Sequence, residues 1–539
     1  MSTTNPTYLR LYKYMSLESF HETLRLQGLR ATFAQQSVNL MEFMPAGAIN
    51  HNPDTKKELR SHALISFCRK AESPALWGLY ANKGRDICLV FSFPIEYCES
   101  ENTKVETAEK SEITGKTGKT EKIVEIKTYT LTNGRILRDV VYDYKRVDEP
   151  ISRYNLHKLL THKSPSWELE EEVRYAGHVN DFDEIAYFNE PAFPHRDRNK
   201  LICKWPMEFL RGALLGPKCE LSADFVQRQI CQALPHLNGL IKVESTTYDE
   251  KLFKIVTKQQ NEPNTPPKSE DGATHTDITE HGYKVMYVYF SFDSFCKAMD
   301  SWSLKASQSH EVNDPMENMP AKGIEVSDDP QPFFSMTPII SNDAMWGSYA
   351  DRGRGICLAF CFPTDSEKAP NFVLRDIKDS NPAAKAKFRK INYTEKRPET
   401  DDIVEILSHK GLFWSYEKEV RCFTQYEAAS HSTDHMLFFR WPMQFLAGAV
   451  IGPYCEVTPD FIKQKLRLAY QHYIETNKEA LNLPDDCGNS EIFKATAPLQ
   501  TNFLVEKAQI DESHYRVETT NWVDNKYIKY DSLDKFLNN

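Results

Sequence analysis

LWGLYANKGRDICLVFSFP at residues 76–94 is answered by MWGSYADRGRGICLAFCFP at 345–363, with 12 of 19 positions identical. Outward from these stretches the correspondence continues in one order. KWPMEFLRGALLGPKCE (204–220) returns as RWPMQFLAGAVIGPYCE (440–456), with 11 of 17 identical. Between them, His162-Lys163-x-x-x-Trp167-x-x-Glu170-x-Glu172-Val173-Arg174 recurs as His409-Lys410-x-x-x-Trp414-x-x-Glu417-x-Glu419-Val420-Arg421. Three blocks in the same order predict a duplicated domain, with a period too long for a solenoid.

A chain of 539 residues exceeds what one hydrophobic core serves, which agrees with two domains. The expected division is a first repeat at 1–256, a linker at 257–282 and a second repeat at 283–539. The linker is polar and rich in Pro and Gly. A polar run at 99–125, without counterpart in the second copy, is expected to be a mobile surface insertion.

Each copy opens with a strand and a helix. Tyr12-Lys13-Tyr14 precedes Ser16 as N-cap, Phe20 and Leu24 four apart, and Gly28 as a stop. Tyr287-Val288-Tyr289 precedes Ser291, Phe295 and Met299 in the same pattern. Ile87–Phe91 and Ile356–Phe360 are short apolar runs of the kind buried strands show. Gly448–Gly452 reads as a further strand, and Thr458-Pro459-Asp460 as a helix start. The fold class expected is α+β: two homologous mixed domains in tandem, packed as a pseudo-dimer.

Net charge of −10 argues against general phosphate neutralisation on nucleic acid. No apolar run reaches membrane-span length, and the N-terminus lacks a signal-peptide pattern. Cys88 and Cys219, matched by Cys357 and Cys455, are expected in apolar strands as free thiols, consistent with a cytoplasmic protein. Cys and His do not cluster with ligand spacing, so no metal is expected.

Chemistry concentrates in the EKEVR segment. On a strand, Glu417, Glu419 and Arg421 share one face, as do Glu170, Glu172 and Arg174, with Val420 and Val173 opposite. Were it helical, Glu417 and Arg421 would remain neighbours while the second acid turned away. The strand reading expects a half-buried face lining a cleft. Crowded carboxylates raise one pKa and an arginine lowers it again, so such a group polarises a hydroxyl or stabilises a developing cation. The blander reading is a charged strand with a cross-strand ion pair. Trp346 and Tyr349, with Trp77 and Tyr80, serve either a core or a stacking platform. The turns at Gly84-Arg85 and Gly353-Arg354 offer a weak phosphate signal, and Trp-Pro-Met-x-Phe-Leu is read as packing.

With these residues in view, the chain resembles a tandem of an uncharacterised bacterial family, domain of unknown function twenty-nine seventy-one. That family opens with "lyKYrs", passes an "fNDPFE" loop and "lWxhYadnhkGvclgF", and closes with "KsxxWxYEkEyR". Leu11–Tyr14, Asn313-Asp314-Pro315-Met316-Glu317, Trp346–Phe360 and Lys410–Arg421 carry the match. The first copy departs with Val38–Glu42 in the loop, Asp86 for Gly355 and Leu169 for Tyr416. The second has Val288 for Lys13, and both have glycine (Gly84, Gly353) where the family usually has His.

The motif order is also similar, more distantly, to ADP-ribosyltransferase folds. That resemblance implies Glu419 or Glu417 as the catalytic carboxylate stabilising an oxocarbenium-like state, with Glu172 and Glu170 in the first copy. It implies Trp346 and Tyr349 stacked on nicotinamide or adenine, and Arg421 or Lys410 on the pyrophosphate. Asn313 and Asp314, and Trp77, Tyr80, Lys163 and Arg174 of the first copy, complete the expected substrate-binding set. The function implied is an NAD-consuming enzyme of toxin, effector or phage-defence type, with NAD as substrate and a macromolecular acceptor. The alternative is a non-catalytic sensor holding a nucleotide, another ligand or a protein. Phosphodiester chemistry would need a metal on Asp314, Glu317, Glu417 and Glu419.

Overall fold

The computed structural model describes residues 7–34, 42, 44, 46, 53–110, 117–149, 151–152, 154–187, 199–257, 282–308, 311–324, 331–363, 387–433, 436–440, 442–476 and 503–529. The expected linker lies almost wholly outside them. The chain divides into two compact units. The first is Met1–Gln259 with the short segments Asn313–Met316 and Asp511–Tyr515; the second is Gln260–Val312, Glu317–Ile510 and Arg516–Asn539. Each mixes helices and strands, as an α+β class requires.

The central strand of each unit is the apolar run singled out above. Ile87–Lys110 lies antiparallel between Thr7–Met15 and Leu210–Leu215, with Lys13 opposite Leu89 and Ala213 on its other side. Its side chains alternate between two cores. Ile87, Leu89 and Phe91 pack with Phe20, Val226 and Ile230. Cys88 and Val90 pack with Tyr14, Trp77 and Leu214. Both faces being buried, the sequence is continuously apolar instead of alternating.

The second unit repeats this order. Ile356–Pro363 lies between Gly282–Phe290 and Leu446–Ile451, and Leu446–Ile451 pairs in parallel with Leu504–Lys507. The first unit has the matching parallel pair, Leu210–Leu215 with Lys242–Tyr248.

Helix signals are realised closely. Ser16 and Ser291 cap Leu17–Leu26 and Phe292–Ser301, accepting from Ser19 N at 3.1 Å and Ser294 N at 3.2 Å. The first of these helices stops at Gln27, itself left-handed at φ 50°, one residue before the expected glycine. Thr458 caps Pro459–Thr476. Trp205, Met207, Met443 and Phe445 are buried, so the Trp-Pro-Met block is packing.

Two expectations change. The run 99–125, expected to be a mobile surface insertion, is regular strand where it is described: Ile87–Lys110 and Thr117–Leu131 form a long antiparallel pair, registered from Ile95↔Leu131 to Lys110↔Thr117. Its alternating Thr, Val and Ile among charges satisfy the backbone in a ribbon, although the composition alone reads as a polar loop. Cys219 and Cys455 lie in turns after their strands, not inside them; Cys88 and Cys357 are in strands and fully buried. The described cysteines are free thiols. Among the described residues no helix is long and apolar enough to cross a membrane.

Between the Trp helix and the central strand each unit inserts a turn of opposite hand. Asn82, Lys83 and Gly84 have φ of 48°, 57° and 78°, and Asp351, Arg352 and Gly353 have 46°, 57° and 74°. Non-glycine residues enter this region at a cost of about 1–2 kcal/mol each. Backbone hydrogen bonds hold the turn from outside: Lys218 N to Gly84 O at 2.9 Å, and Tyr454 N to Gly353 O at 3.0 Å.

Trp346 is fully buried, meets Tyr289 edge-on at 5.1 Å and donates from Nε1 to Ile340 O at 2.7 Å. Replacing it with Ala removes ring, contact and bond together. Trp346→Ala is expected to cost the second unit about 3–5 kcal/mol, read as loss of hydrogen-exchange protection in its core strands.

Candidate functional site

The EKEVR segment is not one extended strand. Pro165–Glu170 and Leu412–Glu417 are short 3-10 helices of six residues each, and the next residue is left-handed in both copies: Glu171 at φ 42° and Lys418 at φ 46°. Strand geometry begins only at Glu172 and at Val420. The expected period-two alignment therefore fails at the first acid. From Glu172 onward it holds, with Glu172 and Arg174 on one side and Val173 and Tyr175 in the core. The positive-φ residue reverses the chain, and that reversal brings both acids to the same cations.

In the first unit Lys163 Nζ donates to Glu170, and to Glu172 at 3.1 Å. Arg174 grips Glu172 through two nitrogens at 2.7 Å each, donates to Leu160 O at 2.8 Å and pairs with Glu42. In the second unit Lys410 donates to Glu417 at 2.6 Å and Glu419 at 3.3 Å. Arg421 grips Glu419 at 2.8 and 3.0 Å, donates to Leu407 O at 2.6 Å and pairs with Glu317. Each lysine also sits over a tryptophan: Lys163 is 4.9 Å from the Trp167 ring, and Lys410 is 4.6 Å from Trp414. All five ionised side chains of each lattice are at least largely buried. The acids do not line a half-exposed cleft, as strand spacing suggested; they are enclosed with their counter-ions.

Tyr80 and Tyr349 hydroxyls donate to Glu170, at 2.6 Å, and to Glu417. The Tyr80 ring is 37% exposed, so its hydroxyl reaches inward from the surface. Trp346 and Trp77, expected among the substrate-binding residues, sit in the core and not as stacking platforms: their indoles are fully buried and their N–H groups are bonded to backbone carbonyls. Asp314 is buried and accepts from Met316 N at 2.9 Å, and Asn313–Met316 falls within the first unit. The residue of that loop that joins the second lattice is Glu317.

Glu42 and Glu317 were not expected as partners of Arg174 and Arg421. A signal existed: MEFMPA (41–46) and MENMPA (316–321) agree at five of six positions. The arginines that hold these loops are also repeated, Arg146 Nε to Met44 O at 3.0 Å and Arg397 Nε to Met319 O at 3.2 Å. Tyr142 and Tyr393 were missed as well. Their hydroxyls accept from Glu172 N at 2.9 Å and Glu419 N at 2.8 Å. Each stands beside the lattice lysine through a short parallel pairing, Tyr142↔Lys163 and Tyr393↔Lys410.

Three carboxylates meet two cations in each lattice, and the resulting pKa directions differ between the copies. Burial pushes Glu170 up, opposed by Lys163 and reinforced by Glu172. Burial would also raise Glu172, but Arg174 and Lys163 outweigh it and hold it well below the carboxylate range. In the second unit burial raises Glu419, with Lys410 opposing and Glu417 reinforcing. Burial would lower Lys410, yet Glu417 and Glu419 hold it well above the ordinary ammonium value. One difference beside the lattices is Lys13, half-buried and bonded to Ser66 O at 2.9 Å, which adds a cation near Glu172; Val288 holds the equivalent register position in the second unit. Among the described residues no group of three or more His, Cys, Asp or Glu side chains is placed to hold a metal ion.

Residues 345–422 match the family model described as "Protein of unknown function (DUF2971)". That span runs from the Trp helix to the arginine of the second lattice. No curated protein and no solved structure matches the chain.

Removing one member of a buried lattice leaves an uncompensated charge. Lys410→Met is expected to destabilise the second unit by about 3–5 kcal/mol, far more than an exposed pair, measured by urea unfolding. The acids also set the pH response. Glu419 is raised above its ordinary 4.5, so its stabilisation is complete below that value and is lost as pH rises through the folded pKa. Urea midpoints of the second unit are expected to carry this decline above pH 4.5, and Glu419→Gln to remove it.

Proposed function

We propose that this chain is a non-catalytic binding protein, a sensor made by tandem duplication of one domain, in which the acid–base lattices are internal braces. The observation that carries this reading is saturation: Glu170, Glu172, Glu417 and Glu419 are buried and each is held by lysine, arginine or tyrosine of the same lattice. A carboxylate that stabilises a sugar cation must reach the sugar, and a braced one gives up several kcal/mol of pairing to do so. The repeated MExMPA loop, the repeated left-handed residue and the matched tyrosines support duplication, since each reappears with the same contact. A reducing, cytoplasmic setting agrees with the free buried thiols.

A second reading retains one specific support. Tyr80 and Tyr349, neither fully buried, reach one acid of each lattice, and rotation of the tyrosine would open Glu170 or Glu417 to a ligand. This is the route by which an NAD-consuming transferase or hydrolase, of toxin, effector or defence type, would work here. NAD would then be the substrate.

Incubation with NAD separates the two. No nicotinamide release is expected, while Glu417→Gln and Glu170→Gln lower the thermal midpoint. Release of nicotinamide that disappears in Glu417→Gln or Glu419→Gln would replace the binding reading by the enzymatic one.

A further inference from the structure

The two units differ in side-chain chemistry where one sheet face meets the parallel strand pair. In the second unit that face is apolar and filled. Val285, Cys361, Ala447 and Leu504 are buried there, and the indole of Trp522 lies over Gly448, donating from Nε1 to Leu504 O at 3.2 Å. A Cβ on Gly448 would come within 2.0 Å of Leu504 O and 2.8 Å of the indole, and one on Gly212 within 1.9 Å of Lys242 O, so close approach of the parallel strand requires glycine in both units and the indole covers it in the second.

The register gives the first unit's equivalents. Gly212 pairs with Val90 and Lys242 as Gly448 pairs with Ala359 and Leu504. Arg10 faces Ser92 as Val285 faces Cys361. Hence Val285, Cys361, Ala447 and Leu504 are replaced by Arg10, Ser92, Arg211 and Lys242. At the register that Trp522 covers in the second unit, the first has a half-open depression of about 220 Å³ lined by these residues, Gly212 and Glu244 among others. Among the described residues no aromatic side chain lines it. Three cations face one carboxylate, and Glu244 is engaged by Lys242 at 2.7 Å. Arg10 rests 5.7 Å from the Tyr12 ring centre, and Arg211 donates to the Glu208 and Leu210 carbonyls at 3.0 and 2.8 Å, so both guanidiniums are positioned.

We infer that this cavity binds a planar ring bearing a phosphate, a nucleoside monophosphate being the fitting class. The ring lies on the Gly212 floor as the indole lies on Gly448, and the phosphate meets Arg10, Arg211 and Lys242. This rests on the binding reading above and supplies its ligand class. All four apolar counterparts are exchanged for a cation or a hydroxyl, and a ring-sized space lies at the same register.

The test uses the full chain and AMP, with adenosine and inorganic phosphate as partial probes, in isothermal titration. Saturable AMP binding is expected, at least tenfold tighter than either partial probe. Arg10→Ala with Lys242→Ala should weaken it at least tenfold while the thermal midpoint without ligand stays put. Ser92→Phe, which fills the slot, should abolish it; if that variant fails to fold, the Arg10/Lys242 pair decides alone. No AMP binding by wild type, phosphate binding as tight as AMP, or AMP binding unchanged in the double variant overturns the inference. Nicotinamide release from NAD would sink the non-catalytic reading without altering any of these titrations, so the two failures are distinguishable.

Discussion

Each unit depends on a buried ionic lattice in which one lysine and one arginine hold three carboxylates drawn from separate parts of the chain. In the second unit these are a loop at Glu317, a short 3-10 helix ending at Glu417 and a strand entry at Glu419. Hydrophobic burial does not dictate where such segments meet, being non-directional. Bidentate guanidinium contacts do, because they accept carboxylates only in fixed orientation. The lattice adds little net stability over an apolar core of similar volume, but any single deletion strands a charge. That asymmetry accounts for its presence as a complete set in both units.

The sheet framework is the part of the fold most legible in the sequence. Ile87–Phe91 and Ile356–Phe360 were recognisable as strands because burial on both faces leaves a continuous apolar signature. Ser16, Ser291 and Thr458 were recognisable as caps because capping is local, fixed within three residues. The strand pair at 99–125 was not legible: its strands pair mainly with each other, so no buried face imposes alternation strong enough to outweigh Lys, Glu and Thr. Nor was the left-handed residue at 171 and 418, since neither Glu nor Lys advertises positive φ; tertiary ion pairs impose it.

For the candidate site, the residues singled out in the sequence do come together, but enclosed with one another and not along an open cleft. Glu170, Glu172, Lys163, Arg174 and their second-copy equivalents do converge, as their joint retention suggested. Retention could not say whether they converge on a ligand or on one another. The MExMPA loops, distant in sequence from EKEVR, carried the third carboxylate of each lattice. Trp346 and Trp77 were retained for their fit in the core. The face bearing Arg10, Arg211 and Lys242 escaped notice for the opposite reason: it lies where the copies disagree, and comparison for likeness passes over it.

The left-handed turn at 82–84 and 351–353 has its own consequence. Its handedness is locked by neighbours bonding to the backbone, while its side chains differ freely, Asn-Lys in one unit and Asp-Arg in the other. Gly84 and Gly353 close that corner at φ of 78° and 74°, which an L side chain enters only under strain. Change within this turn is therefore confined to the two residues before the glycine, whose backbone the surrounding hydrogen bonds already hold.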